Sequence, residues 1–282
     1  MTKTIVNYGN NGHLTGVLMQ PNDANNNLPL IMFINAGVVY RIGPNRIYYK
    51  IAEHLTQIGF TTFRFDFSGI GDSEMSEDLT QSFDDYQLNE TKESIDFILG
   101  KTGKKKCILI GICSGADIAY QMSLYDDRVN GIIPINGSYY SKSYFNYQYP
   151  KAKNQIAVNY YKKYWFHYNR LLKVIKGQSN ILKNVKKVFF NKNTKGKTDL
   201  LKFSKNDWGK ILSIRINTLL VFSEGSVFFE LFKLDLFNEI KSSNVQNNLS
   251  IEIVKNTDHV FTTISSQDYL TNLITQWLKT NY

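Results

Sequence analysis

The chain alternates between short apolar runs and longer stretches in which apolar residues recur at helical spacing. Seven runs have the length and the β-branched character of strands: HLTGVLMQ, LPLIMFIN, FTTFRFDF, KCILIGI, VNGIIPIN, INTLLVFS and LSIEIVKN. The clearest helical stretches lie between or after these runs: IYYKIAEHLTQIG, YQLNETKESIDFILG and SQDYLTNLITQWLK. Strands that alternate with helices predict an α/β protein with a mostly parallel sheet and helices on both faces.

Residues 138–210 interrupt this alternation. Within them, aromatic and aliphatic residues recur at helical spacing: Ala157, Tyr160, Tyr161, Tyr164, Trp165, Tyr168, Leu171, Leu172 and Ile175. Helices inserted between two strands predict a cap, so we expect a core of residues 1–137 and 211–282 and a cap of residues 138–210. The aromatic face either packs inside the cap or forms a wall for an acyl chain, with Tyr164 and Trp165 as substrate contacts.

Charge separates the same segment from the rest of the chain. The net charge is +9, but residues 141–210 hold 17 lysines and arginines against two aspartates, a net +15, which leaves −6 elsewhere. This imbalance predicts either an ordinary lysine-rich surface or a patch that attracts an acidic partner. We expect an acidic acyl or peptidyl carrier protein or coenzyme A as that partner, and a nucleic acid is the less favoured one.

Composition narrows the class of protein further. The 282 residues, 43% of them hydrophobic, suffice for one large core or for a core and a small accessory domain. No run approaches the roughly 18 apolar residues of a membrane helix, and the first residues carry no basic start followed by an apolar run. Cys107 and Cys113 lie on one predicted strand, too far apart for a disulfide. We therefore expect free thiols, a cytoplasmic location and no membrane span.

Three polar motifs follow predicted strands, and the third carries a potential nucleophile. NAGVVYRIGPNR follows LPLIMFIN, SGIGDS follows FTTFRFDF, and GICSG closes KCILIGI. In GICSG, Gly111 and Gly115 leave room for a sharp turn between a strand and a helix, which places Cys113 at its apex. Ser114 then lies in the first helical turn, with its N–H directed at the substrate. In the alternative, Ser114 is the nucleophile and Cys113 is an inert thiol.

These motifs in this order resemble the α/β-hydrolase superfamily, over residues 30–137 and 211–282. At the turn itself the chain is similar to dienelactone hydrolases and polyhydroxyalkanoate synthases, which also carry cysteine there. The resemblance implies an α/β-hydrolase fold and a nucleophile at Cys113. It also implies an oxyanion hole of backbone N–H groups, from Gly37 or Val38 together with Ser114.

The same resemblance implies a histidine after the last strand, where His259 follows LSIEIVKN. We expect His259 to take the thiol proton and to leave a thiolate–imidazolium pair. The other histidines are expected to be structural: His13, His54 and His167. Many relatives carry an aspartate where this chain has Ser226. The nearest carboxylates are Glu224 and Glu230, between which the sequence does not decide, and Asp235 is a remote third choice.

Two arginines follow the first of these motifs. Arg41 and Arg46 could hold a carboxylate or phosphate of the substrate, or they could pair with Asp66 or Asp72 and stabilise the loop. Neither cysteines nor histidines have the spacing of metal ligands, and no cofactor is expected.

A cysteine in this turn predicts acyl transfer through a thioester intermediate, by an acyltransferase or a thioesterase. Its substrate would be an acyl thioester on a carrier protein or coenzyme A. One alternative is a small-molecule ester or lactone hydrolase of the dienelactone-hydrolase type. A second alternative is a catalytically silent protein that uses the basic segment for binding.

Overall fold

The computed structural model describes residues 1–23, 27–76, 83–138, 149–150, 152–153, 155–156, 216–235 and 248–282. The strands in this part of the chain are β1 (Thr2–Tyr8), β2 (Leu14–Gln20), β3 (Leu30–Ile34), β4 (Thr62–Phe65), β5 (Cys107–Ile112), β6 (Val129–Ile135), β7 (Asn217–Ser223) and β8 (Leu249–Val254). The longer helices are α1 (Ile47–Gln57), α2 (Phe83–Thr102), α3 (Ser114–Tyr125), α4 (Val227–Asp235) and α5 (Ile264–Asn281).

The strands form one sheet in the order β1-β2-β4-β3-β5-β6-β7-β8. β1 and β2 pair antiparallel, β2 pairs antiparallel with β4, and the remaining neighbours are parallel. The predicted α/β class and mostly parallel sheet are confirmed. Because parallel strands end at one edge, the segments after β3, β4, β5, β6, β7 and β8 all emerge at that edge, where ligand sites of such sheets lie.

β1 was not among the runs that the apolar pattern indicated. Most of its side chains are exposed and only Val6 and Tyr8 are buried. β1 is an edge strand with few core contacts, so it lacks the continuous apolar character by which the buried strands could be recognised.

The core is built around β5, which is buried along its whole length. Ile108, Ile110 and Ile112 alternate along β5 and pack into one apolar cluster with residues of α1 and α5, among them Ile51 and Ile274. Full burial of such side chains contributes about 1.5–3 kcal/mol each. The turn that follows β5 is therefore attached to a strand that is buried along its whole length.

The chain divides into two compact units, of which the larger contains the whole sheet: Met1–Tyr139, Ser213–Glu224 and Ser243–Tyr282. The described part of the smaller unit includes α4. Nearly all of the predicted cap at 138–210 lies outside the described residues, so its boundaries and helices stay predictions. Among the helices that the structure describes, none is long and apolar enough to cross a membrane.

Candidate active site

Cys113 is the single residue between β5 and α3, and its backbone angles are φ 58° and ψ −123°. The two glycines around it have no room for a side chain. A Cβ on Gly111 would lie 2.1 Å from the carbonyl oxygen of Gly115, and a Cβ on Gly115 would lie 2.6 Å from that of Asn35. The strand, the helix and the loop after β3 approach so closely here that only glycine fits. The turn therefore presents Cys113, and not Ser114, at its apex.

The left-handed backbone of Cys113 costs roughly 1–3 kcal/mol, which the surrounding hydrogen bonds must offset. Its N–H donates to the carbonyl of Ile135 at 2.9 Å, and its own carbonyl accepts from the N–H of Ala116 at 3.0 Å. These bonds attach the turn to the end of β6 and to the first turn of α3. A strained residue held this firmly is common at catalytic positions.

The Cys113 thiol is half-buried, and burial raises its pKa. The nearby Asp117 carboxylate raises this pKa further, whereas a hydrogen bond from the backbone N–H of Ser114 lowers it. The net shift is upward, so the resting thiol is protonated near neutral pH and needs a base to attack.

The loop after β3 reaches the turn through Ser114. The N–H of Gly37 donates to the hydroxyl oxygen of Ser114 at 2.8 Å. Gly37 has a left-handed backbone, φ 59°, and Val38 beside it is 80% exposed. Sequence reasoning considered Ser114 as a backbone donor or as an alternative nucleophile, and it missed this contact of the side chain.

The buried carboxylate of Asp66 holds this loop by accepting hydrogen bonds from it. It accepts from the Arg41 backbone N–H and guanidinium, and at 3.3 Å from both the Asn35 side chain and the Asp72 N–H. Arg41 also pairs with Asp72. Arg41 therefore serves the loop-stabilising role that the sequence left open as its alternative to substrate binding.

Arg46 lies just before α1 and is exposed. Its guanidinium carbon lies 5.2 Å from the centre of the Tyr49 ring, a cation–π distance. The neighbouring Asn45 donates to the carbonyl of Val260 at 3.2 Å, which joins this segment to the one that carries His259. A substrate-binding role for Arg46 stays a prediction.

His259 follows β8, and its backbone is fixed by an asparagine that the sequence did not single out. Asn136, at the end of β6, donates from its side-chain amide to the His259 carbonyl at 2.9 Å. Its amide oxygen accepts from the Ser223 N–H at 2.8 Å, and its own N–H donates to Val221. Asn136 thus links the ends of β6 and β7 to the histidine segment.

Burial lowers the pKa of the half-buried His259, and the neighbouring Asp258 only partly opposes this shift. A lowered histidine pKa and a raised cysteine pKa both favour the neutral forms. These directions argue against the resting thiolate–imidazolium pair expected from the sequence. They favour a neutral imidazole that removes the thiol proton during attack.

The two candidate glutamates have different surroundings. Glu224 follows β7, its N–H donates to Val254 at 2.8 Å, and its carboxylate accepts from the Asn256 N–H at 3.5 Å. Glu230 is buried in α4 of the smaller unit, where Lys233 contacts its carboxylate at 2.6 Å. Which of them orients His259 stays a prediction.

Ser226, which replaces the aspartate of many relatives, has a local structural role. Its hydroxyl accepts from the N–H groups of Phe228 and Phe229, at 3.1 and 3.4 Å, at the start of α4. These are the bonds of a helix N-cap, for which serine is a preferred residue. The side chain of Asp235, the third carboxylate considered, lies outside the described residues.

Two further predicted site residues, Tyr164 and Trp165, also lie outside the described residues. Within the described ranges, no group of three or more histidine, cysteine, aspartate or glutamate side chains could hold a metal ion.

The chain belongs to the α/β-hydrolase fold family, because a family model for that fold matches residues 42–246, more than two thirds of the sequence. The order of the strands in its sheet agrees with that fold. No match was found among curated proteins.

Solved structures with the same fold include several enzymes of known class. An esterase from Pyrococcus furiosus is 15% identical over 99% of this chain and 91% of its own, with a TM-score of 0.60. A proline iminopeptidase from Mycobacterium smegmatis is 12% identical over 99% of this chain and 98% of its own, with a TM-score of 0.61. A dienelactone hydrolase from Anabaena variabilis is 13% identical over 95% of this chain and 92% of its own, with a TM-score of 0.55. At these identities the similarity concerns the fold alone.

Proposed function

We propose that this protein is a cysteine-dependent acyl-transfer enzyme, a thioesterase or an acyltransferase, with Cys113 as nucleophile and His259 as base. One observation carries the proposal: Cys113 occupies the strained apex of a turn whose flanking Gly111 and Gly115 leave no room for a side chain. A buried thiol with only a packing role would not need a backbone of this conformation.

The proposed reaction has two steps. Cys113 Sγ attacks the acyl carbon while His259 takes its proton, and the carbonyl electrons move onto oxygen. When the tetrahedral intermediate collapses, the leaving thiol or alcohol takes the proton back from His259 and an acyl thioester remains on Cys113. Water, or an acceptor nucleophile, then attacks that thioester with the same proton transfers, and Cys113 recovers its proton.

The first experiment is intact-mass analysis after mixing the protein with a short-chain acyl thioester. We expect an acyl adduct on the wild type, mapped to Cys113, and none on Cys113→Ala. Cys107→Ala is the matched control, because burial raises the pKa of that thiol to about 12 and it lies inside the core. An adduct mapped to Ser114 would contradict the proposal.

The base and its partner need a rate measurement. His259→Ala should lower the turnover of an activated ester by ~10²–10⁴-fold, the usual loss of a general base. Glu224→Gln and Glu230→Gln, measured in parallel, identify the third member as the variant with the larger loss. If neither variant affects turnover, the triad assignment is wrong.

For the acyl donor, we infer an acidic carrier protein or coenzyme A from the net charge of +15 in residues 141–210. Electrostatic steering is screened beyond about 10 Å at 0.1 M salt. Turnover of a coenzyme A thioester should therefore fall steeply with ionic strength, while that of a neutral small ester should change little.

Reversing charge at four lysines of this segment, Lys162, Lys163, Lys186 and Lys187, should reproduce the salt effect. Equal salt dependence for the two substrates would instead favour a small-molecule ester or lactone hydrolase.

A further inference from the structure

The hydroxyl of Ser114 accepts a hydrogen bond from the Gly37 N–H, one of the candidate donors for the substrate oxyanion. The distance from this nitrogen to the hydroxyl oxygen is 2.8 Å. A serine hydroxyl that accepts one hydrogen bond still has its own proton to donate. A substrate oxygen approaching this amide would therefore meet the Ser114 O–H first.

Ser114 is also the residue next to the proposed nucleophile, Cys113. Ser114 directly follows Cys113 and begins α3, so its backbone amide lies next to the residue that carries the reacting sulfur. Ser114 is half-buried, in a setting where hydrogen bonds in a chain polarise one another and strengthen. Both donors of this one residue thus lie within the candidate active site.

We propose that Ser114 is a catalytic residue whose hydroxyl, polarised by the Gly37 N–H, donates a hydrogen bond to the oxyanion. The Gly37 amide then acts on the oxyanion through this hydroxyl instead of directly. The hydroxyl keeps its proton, and no bond to Ser114 forms or breaks. This inference rests on the proposed acyl transfer at Cys113 and names a second side chain for the same step.

Two reactions of the same thiol separate this role from a structural one. Acylation by an activated ester passes through a tetrahedral oxyanion, whereas alkylation by iodoacetamide displaces iodide at a saturated carbon and forms none. In Ser114→Ala, we expect the acylation rate to fall by about 10²-fold, the typical loss of one oxyanion donor. The alkylation rate should change by less than about twofold.

The matched control is Ser123→Ala on the same helix, whose hydroxyl donates to the Tyr120 carbonyl within the helix. It should leave both rates unchanged. An aldehyde inhibitor, which forms a tetrahedral adduct with the thiol, should bind Ser114→Ala more weakly by a factor similar to the loss in acylation. Should Ser114→Ala fold poorly, Ser114→Gly also lacks the hydroxyl and repeats the comparison.

Three results would overturn this role while the acyl adduct on wild-type Cys113 still stands. Unchanged acylation would make the hydroxyl irrelevant to the oxyanion. Faster acylation would mean that the hydroxyl blocks the Gly37 N–H and has to be displaced by the substrate. Equal losses in acylation and alkylation would make it a structural residue. Absence of the adduct from the wild type would instead refute the proposed function itself.

Discussion

The turn around Cys113 and the loop after β3 are joined by the hydrogen bond between Gly37 and Ser114, yet they differ in the contact that restricts each most. The turn is fixed by backbone packing, since a Cβ on Gly111 would lie 2.1 Å from a carbonyl oxygen. The loop has open space at Gly37, where an added Cβ would meet no atom within 4 Å. Its conformation depends instead on hydrogen bonds to one buried carboxylate, Asp66.

This difference teaches which kind of change each segment tolerates. Steric exclusion is insensitive to charge but does not admit one added methyl group. A polar clamp admits added volume but depends on every partner of the buried charge. The nucleophile and the oxyanion donors should therefore fail under different substitutions.

The largest expected effect comes from adding one methyl group at the turn. Gly111→Ala should abolish acylation and destabilise the fold by ~1–3 kcal/mol or more, because its Cβ would overlap backbone atoms that cannot move aside. Gly37→Asn adds more atoms but should shift stability by less than about 1 kcal/mol, since asparagine tolerates a left-handed backbone and the space is open. Thermal unfolding and acylation kinetics of both variants test the contrast, which equal losses would refute.

Features that depend on local sterics and apolar pattern could be predicted from the sequence. The seven strands from β2 to β8 and the turn with its two glycines follow from short stretches whose residues act on near neighbours. The exposed edge strand β1 could not be recognised, because its side chains are mostly in water.

The polar contacts of the site could not be predicted. The partner of Ser114 lies 77 positions away, and Asp66 and Arg41 are separated by 25. Such pairs depend on strand order and on side-chain rotamers that no local pattern encodes. For the same reason, the sequence could offer Arg41 both a substrate and a structural role without deciding between them.

The second prediction breaks the clamp while keeping its shape. Asp66→Asn removes a fully buried charge from beside Arg41, whose side chain is only 13% exposed, and should cost about 3 kcal/mol of stability. Asp72→Asn is the matched control. Its carboxylate contacts the same guanidinium but its side chain is 66% exposed, so the cost should stay below about 1 kcal/mol. Denaturant unfolding measures both values, and a similar cost for the two variants would mean that burial does not set the strength of the clamp.

The third prediction extends the comparison to the histidine segment, which is held by a polar clamp of its own. Asn136→Gly keeps a left-handed backbone possible but removes the amide that contacts the His259 carbonyl and the Ser223 N–H. A buried N–H left without a partner costs about 1–3 kcal/mol. Acylation should fall because His259 is less well placed, while alkylation of Cys113 should change little. Unchanged acylation would show that Asn136 does not position His259.

The smallest expected effect concerns the protonation states of the Cys113 thiol and the His259 imidazole. Burial and Asp117 raise the pKa of Cys113, and burial lowers that of His259, so the resting pair should be neutral. Below the thiol pKa, the thiolate fraction rises about tenfold for each pH unit, and alkylation by iodoacetamide should follow it between pH 6 and 8. A thiolate–imidazolium pair would instead give a plateau over this range, because its thiolate is already formed at the lower limit. The pH profile of alkylation, followed by intact mass in the wild type, distinguishes the two. A plateau would show that the packed turn stabilises charge and would restore the ion pair predicted from the sequence.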